Sequence, residues 1–290
     1  MKNRITSFFL MLFIAGTLYA QKASEWRPEN RTGVSAETGL LKSWPAEGPK
    51  QLWINQELGK GHSSPVFSEN TIYITGLDGE NDALYALDLN GKLLWKTVIG
   101  RAWAESYPES RCTPTLEGNR LYTSSGMGDL ACTDATTGKI IWTYKASEAN
   151  QGTYGNWGIA ESLLIDGDKL YFSPGGPLTM TIAVNKNTGA LIWKSKSLND
   201  KAGYTSPILV NYAGINMLIG VSLSHVFGVD VSNGTMLWSV ANFGTPKWGD
   251  HIICVTPLYK DGMVYTSEGY DAGGMMIRIA PDGKSASRVW

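Results

Sequence analysis

A Ser or Thr followed by Pro recurs along this 290-residue chain as Ser64-Pro65, Thr113-Pro114, Ser206-Pro207 and Thr256-Pro257, with Ser162-Leu163 as a variant. Three residues before each Pro position stand His62, Arg111, Ala160, Tyr204 and Cys254; two before it stand Ser63, Cys112, Glu161, Thr205 and Val255. If the five stretches are equivalent points of one repeat, His62, Arg111, Glu161 and Tyr204 converge on a common axis. A His, an Arg and a Glu gathered there suit anion binding or proton transfer. The guanidinium forks onto oxyanions, while imidazole and carboxyl groups exchange protons near neutral pH. The same side chains serve equally as a solvated rim of mutually paired charges. The Ser or Thr before each Pro reads as a structural hydrogen bonder.

The segments leading into these points carry rings and charges: Trp103, Glu105, Tyr107 and Glu109, then Tyr154 and Trp157, then Lys247, Trp248, Asp250 and His251. Rings on the loops of a rigid scaffold suit flat sugars or peptide strands, and they also serve to cap the elements beneath them. Trp248 and His251 join the candidate ligand-binding set on that ground; His251 and His225, each alone, equally suit structural pairing. The run Asp78-Gly79-Glu80-Asn81-Asp82 has oxygen donors at a calcium-like spacing, yet it falls where a hairpin turn is required. No metal site and no catalytic residue is assigned. Glycine-rich phosphate loops, a Gly-x-Ser-x-Gly elbow and paired-Cys metal motifs do not occur.

A longer period shows what must position these residues. A Gly precedes a Trp that closes a short apolar run in Gly91/Trp95, Gly138/Trp142, Gly189/Trp193, Gly234/Trp238 and, more loosely, Gly283/Trp290; Trp53 ends an earlier run. Successive Trp lie 42, 47, 51, 45 and 52 residues apart, the mark of a repeat architecture. In the second repeat, runs at 113–117, 120–124, 130–133 and 140–144 are separated by turn-forming stretches, and the second run alternates apolar and polar. Four antiparallel strands in under fifty residues make one blade of an all-β propeller. Trp95, Trp142, Trp193 and Trp238 are expected on the outer strands, each docking on the next blade as a structural staple. Aligned on the turn Asp or Asn, Ala86, Cys132, Ala183 and Gly228 share one slot in which only small residues occur. In the fifth repeat Arg278 falls in that slot and Ala280 in the Asp position.

Outside the repeats, Lys2 and Arg4 precede an apolar stretch from Phe8 to Leu18, too short to span a bilayer, and Ala20 offers a cleavage point. Residues 1–20 therefore read as a signal peptide without a lipid-attachment Cys, 21–49 as an N-terminal extension and 50–290 as the propeller. The mature chain is expected in the periplasm or outside the cell, with no transmembrane segment. Removing the leader leaves 23 Lys and Arg against 26 Asp and Glu, a net charge of −3. No basic block or stripe occurs, which argues against nucleic acid as a partner. Cys112 and Cys132 fall on non-adjacent strands of one blade, too far apart to bridge, and all three Cys read as small packed hydrophobes.

The repeat Cys132-Thr133-Asp134-Ala135-Thr136-Thr137-Gly138 to Trp142 resembles that of the pyrroloquinoline-quinone-like propellers, over residues 50 to the end. That superfamily holds quinoprotein alcohol dehydrogenases, including polyvinyl-alcohol-type enzymes, and cofactor-free propellers such as the scaffold subunit of the Bam outer-membrane assembly complex. The stretch 26–34, leading to Ser43-Trp44-Pro45, looks like secreted bacterial members. The resemblance implies eight blades, of which about five are present, so the chain is expected to be truncated; a small ring of five or six blades is the alternative. It also implies two functions. One is a monomeric exported binding or scaffold module for a protein segment or polysaccharide, without a bound cofactor. The other is a dehydrogenase using pyrroloquinoline quinone with calcium, against which stand the missing Cys-Cys pair and the missing Cys-x-x-Cys-His.

Overall fold

The structure, a computed structural model, describes residues 24–27, 31–35, 37–241, 244 and 251–290. Residues 1–20, expected from sequence to be a signal peptide, and Trp248 lie outside the described residues. Five four-stranded antiparallel sheets follow one another along the described chain. The first contains Val66–Phe67, Thr71–Asp78, Asn81–Asp88 and Leu93–Arg101. The second contains Thr115–Glu117, Arg120–Ser124, Asp129–Asp134 and Ile140–Lys145; the third, Leu164–Asp166, Lys169–Phe172, Ile182–Asn185 and Leu191–Lys194. The fourth contains Ile208–Tyr212, Ile215–Val221, His225–Asp230 and Met236–Ala241; the fifth, Leu258–Lys260, Met263–Glu268, Gly273–Ile279 and Ala286–Arg288. Neighbours in sequence are neighbours in each sheet, which is the up-and-down order of a propeller blade. A short ribbon, Gly175–Gly176 with Asp200–Lys201, stands apart.

The chain turns where the sequence supplies its own hydrogen bonds. Asp88 Oδ1 accepts from the Asn90 and Lys92 amides, Asp134 Oδ1 from Thr136 and Thr137, Asn185 Oδ1 from Asn187 and Thr188, and Asp230 Oδ1 from Ser232. Each side chain thereby closes the turn into the outer strand. Asp78 and Asn81 pair across a hairpin tip, so the calcium-like run is built as a turn.

The small slot follows from register. Ala86 lies between Tyr73 and Trp95, Cys132 between Tyr122 and Trp142, and Ala183 between Tyr171 and Trp193. The flanking rings approach to 5.9, 6.3 and 5.7 Å above it, leaving no room for a long side chain. Gly228 is the extreme case, since a Cβ there would sit 2.4 Å from the Trp238 ring. Arg278 does not occupy this slot. Met276 pairs with Tyr265, whose ring lies 6.2 Å from that of Trp290, while Arg278 pairs with Met263 and Ser287 and is exposed. The third strand of this blade runs two residues further before its turn, so counting back from Ala280 lands outside the slot.

Blades join through the repeated Trp. Trp53 Nε1 donates to Leu89 O at 2.8 Å, Trp142 Nε1 to Lys186 O at 2.9 Å and Trp193 Nε1 to Val231 O at 3.2 Å. Each acceptor is the residue after the turn Asp or Asn of the following blade. Trp238 is buried with side chains of the fourth and fifth blades, but its Nε1 has no acceptor among the described residues.

Candidate functional site

The inner strands meet through a belt of hydroxyls. The Ser64 amide donates to Thr113 Oγ1 at 2.9 Å, the Thr113 amide to Ser162 Oγ at 3.1 Å, and the Ser162 amide to Ser206 Oγ at 2.9 Å. At these three joints one blade hands its backbone N–H to the Ser or Thr of the next, while Thr256 Oγ1 of the fifth blade has no partner among the described residues. Backbone bonds add to this: the His62 amide donates to Ser110 O at 2.8 Å and the Tyr204 amide to Ile253 O at 3.1 Å. The first places His62 beside Arg111, the second Tyr204 beside Cys254.

These residues surround a cavity of about 350 Å³. The five positions three before the Pro all line it: His62, Arg111, Ala160, Tyr204 and Cys254. Thr113, Ser162 and Ser206 of the belt line it as well, with Trp157 from a loop and Trp26 from the N-terminal extension. The Trp157 and Tyr204 rings pack at 5.3 Å with a tilt of 59°. Arg111 is steadied from behind, its Nη1 donating to Glu109 O at 2.8 Å and its Nη2 to Tyr107 O at 2.7 Å. Burial lowers its pKa from the ordinary value, against the opposing charges of Asp82 and Glu109. His62 is exposed and pairs with the Glu109 carboxylate. Cys254 is exposed to this cavity, so it is not the packed hydrophobe expected from sequence; Cys112 and Cys132 are buried.

Glu161 does not join the group. It sits one residue after Ala160, and neighbouring side chains of an extended segment point to opposite sides. The residue is 3% exposed, and its Oε2 accepts from the Ser173 amide of the same blade at 3.1 Å. Oε1 has no partner among the described residues. Burial pushes this carboxyl up to about 8, although Arg31 and the Ser173 bond pull it down. His251 is also absent from the cavity lining; it is buried, with Nδ1 2.8 Å from Glu268 Oε2. His225 Nδ1 lies 3.0 Å from Asp200 Oδ2. Trp103 is buried and meets Tyr154 edge-on at 5.4 Å, capping a blade end.

Two contributors carry no signal in the repeat. Ser24 pairs with Leu116 on the second inner strand through two bonds of 2.8 Å, which brings Trp26 into the cavity. Arg31, 1% exposed, donates to Ser162 O at 2.9 Å, Pro207 O at 3.2 Å and Leu163 O at 2.6 Å, and its Nε pairs with Glu25 at 3.0 Å. The extension is thereby clamped across the inner strands. Both residues belong to a stretch that occurs once, so no period could find them.

Residues 80–290 match the sequence profile of a family described as outer membrane protein assembly factor BamB. The chain belongs to that family. Among its curated relatives, BamB of Shewanella oneidensis is 22% identical over 239 residues, covering 79% of this chain and 55% of the relative. A quinoprotein ethanol dehydrogenase of Pseudomonas aeruginosa is 32% identical over 154 residues, 47% of this chain and 24% of the enzyme. The chain therefore spans about half the length of the first and a quarter of the second. BamB from Moraxella catarrhalis superposes with a TM-score of 0.50 at 16% identity, covering 76% of this chain and 57% of that structure. A europium-containing methanol dehydrogenase gives 0.55 at 14%, covering 78% and 60%. The BamB-family chain thus has the quinoprotein-type propeller fold. No helix among its described residues is long and apolar enough to cross a membrane.

Proposed function

We propose that this chain is the propeller of an exported binding or scaffold module, acting as a monomer in the periplasm or outside the cell. It takes a protein segment or a polysaccharide at its hub, without a bound cofactor. The observation that carries the reading is the hub cavity, where five repeat-equivalent positions and two Trp surround a pocket of ligand size. Export rests on the leader-like segment of residues 1–20, and the scaffold character on membership of the BamB family.

A quinone-dependent alcohol dehydrogenase is the second reading, favoured by the 32% identity to a quinoprotein ethanol dehydrogenase. That reading would bring a quinone together with calcium. Calcium takes six to eight oxygen ligands, commonly carboxylates. Among the described residues no Asp or Glu lines the hub cavity, so the described lining offers calcium no carboxylate.

The two readings separate in one assay. The protein, supplied with pyrroloquinoline quinone, calcium and short alcohols, is expected to leave an artificial electron acceptor unreduced. Reduction above the protein-free rate would overturn the module and establish the dehydrogenase.

A further inference from the structure

We propose that the hub cavity binds a carboxylate-bearing sugar ring, a uronate residue of an acidic polysaccharide. This rests on the binding-module reading above and names its ligand. The ground is the polarity of the lining. Thr113, Ser162 and Ser206 are each at most 3% exposed to solvent, and each hydroxyl oxygen has already accepted one backbone N–H. A hydroxyl in that position still has one proton to donate. None of the three donates to a protein acceptor among the described residues, so three O–H groups remain uncommitted on residues that line the cavity.

Arg111 adds the charge. Two of its N–H groups go to the Tyr107 and Glu109 carbonyls, and a guanidinium carries five. Two acidic groups, Asp82 and Glu109, act on it electrostatically, and neither is in the lining. Glu109 pairs with His62, and Asp82 accepts from the Gly126 amide at 2.7 Å, its carboxyl pushed up to about 6, chiefly by burial. With no carboxylate among the described residues of the lining, the pocket offers donors and a cation to oxygen acceptors.

The remaining wall is aromatic: Trp157 packed on Tyr204, with Trp26 brought in by the clamped extension. A pyranose ring has the matching parts. Its apolar face lies on indole, its hydroxyl oxygens accept from the belt and its carboxylate reaches Arg111. An extended peptide has less to hold, because Ser24 already pairs with Leu116 on the inner strand of the second blade. A peptide would bring only its terminal carboxylate.

The test is calorimetric titration of the full chain with trigalacturonate, with neutral maltotriose and with a tripeptide bearing a free C-terminal carboxylate. Saturable binding of trigalacturonate alone is expected. It should weaken roughly tenfold or more in Arg111→Met and fall with added salt. Melting curves show whether that variant is folded, and Trp157→Ala, which removes one ring of the aromatic wall, should weaken binding independently. Maltotriose binding as tightly as trigalacturonate, or Arg111→Met and Trp157→Ala both binding as wild type, would overturn the proposal. Binding of the tripeptide alone would reject the uronate and leave the module standing. No binding of any probe by folded protein would reject the uronate, while the acceptor assay still judges the module.

Discussion

The indole of Trp142 lies directly over Gly189 of the next blade: a Cβ built on that glycine would come within 2.7 Å of the Trp142 Cε3 atom. The glycine also has φ of +71°, a conformation other residues adopt only with strain. Trp53 on Gly91, Trp95 on Gly138 and Trp193 on Gly234 repeat the contact at 2.5, 2.7 and 2.7 Å. The Gly-to-Trp spacing in the sequence is therefore two halves of successive joints. Gly91, Gly138, Gly189 and Gly234 each receive the Trp of the run before, whereas Gly283 meets Ile215, Ala213 and Tyr212 instead.

Trp142→Ala is expected to cost about 3–5 kcal/mol of stability, the range for truncating a large buried ring. Gly189→Ala should destabilise the same joint from the other side through clash and strain. Chemical denaturation reads both, and the double variant should lose less than the sum, because the two act on one contact. A Trp142→Ala variant as stable as wild type would show that the ring does not dock.

Arg31 is the clamp of the N-terminal extension. Arg31→Met removes four hydrogen bonds and leaves the buried carbonyls of Ser162, Leu163 and Pro207 without that donor. The expected loss is on the order of 3 kcal/mol. Limited proteolysis should then cut before residue 60 much faster than in wild type, while the blades resist.

Glu161 sets a pH dependence. Its folded-state pKa of about 8 stands above the ordinary 4.5, so between those values the folded protein keeps a proton that the unfolded chain gives up. Its contribution to stability therefore falls as pH rises from about 4.5 to 8 and levels off beyond. Asp82, pushed up to about 6, adds a loss over the lower part of that window. Glu161→Gln should flatten the slope between pH 6 and 8 and be more stable than wild type at about pH 8, read from melting temperatures across pH.

What repeats was legible in the sequence, and what occurs once was not. The blades, the turn Asp residues and the small slot each recur, so one instance checks another. Counting from the Pro also found the hub, since His62, Arg111 and Tyr204 line the cavity with Ala160 and Cys254. Glu161 failed because a one-residue step reverses the face of an extended chain. Arg278 failed because two extra residues in the fifth blade break the count from the turn. His251 pairs with Glu268, a partner seventeen residues away that no motif marks. Trp26 and Arg31 act through contacts with residues up to 176 positions distant, which only the folded chain reveals.

The claim that equivalent positions of five blades share one cavity is tested most directly at Cys254. Among the three Cys it alone is exposed, and it lines the cavity with Ala160. Thiol labelling of the native protein should modify Cys254 and spare Cys112 and Cys132, slowly, because partial burial raises the Cys254 pKa above the ordinary thiol value. Ala160→Trp, which fills the cavity from another blade, should slow that labelling roughly tenfold in protein that still melts cooperatively, if both residues face one small space. Unchanged labelling of Cys254 in folded Ala160→Trp would show that the two positions do not share a cavity, and the hub site would fall with it.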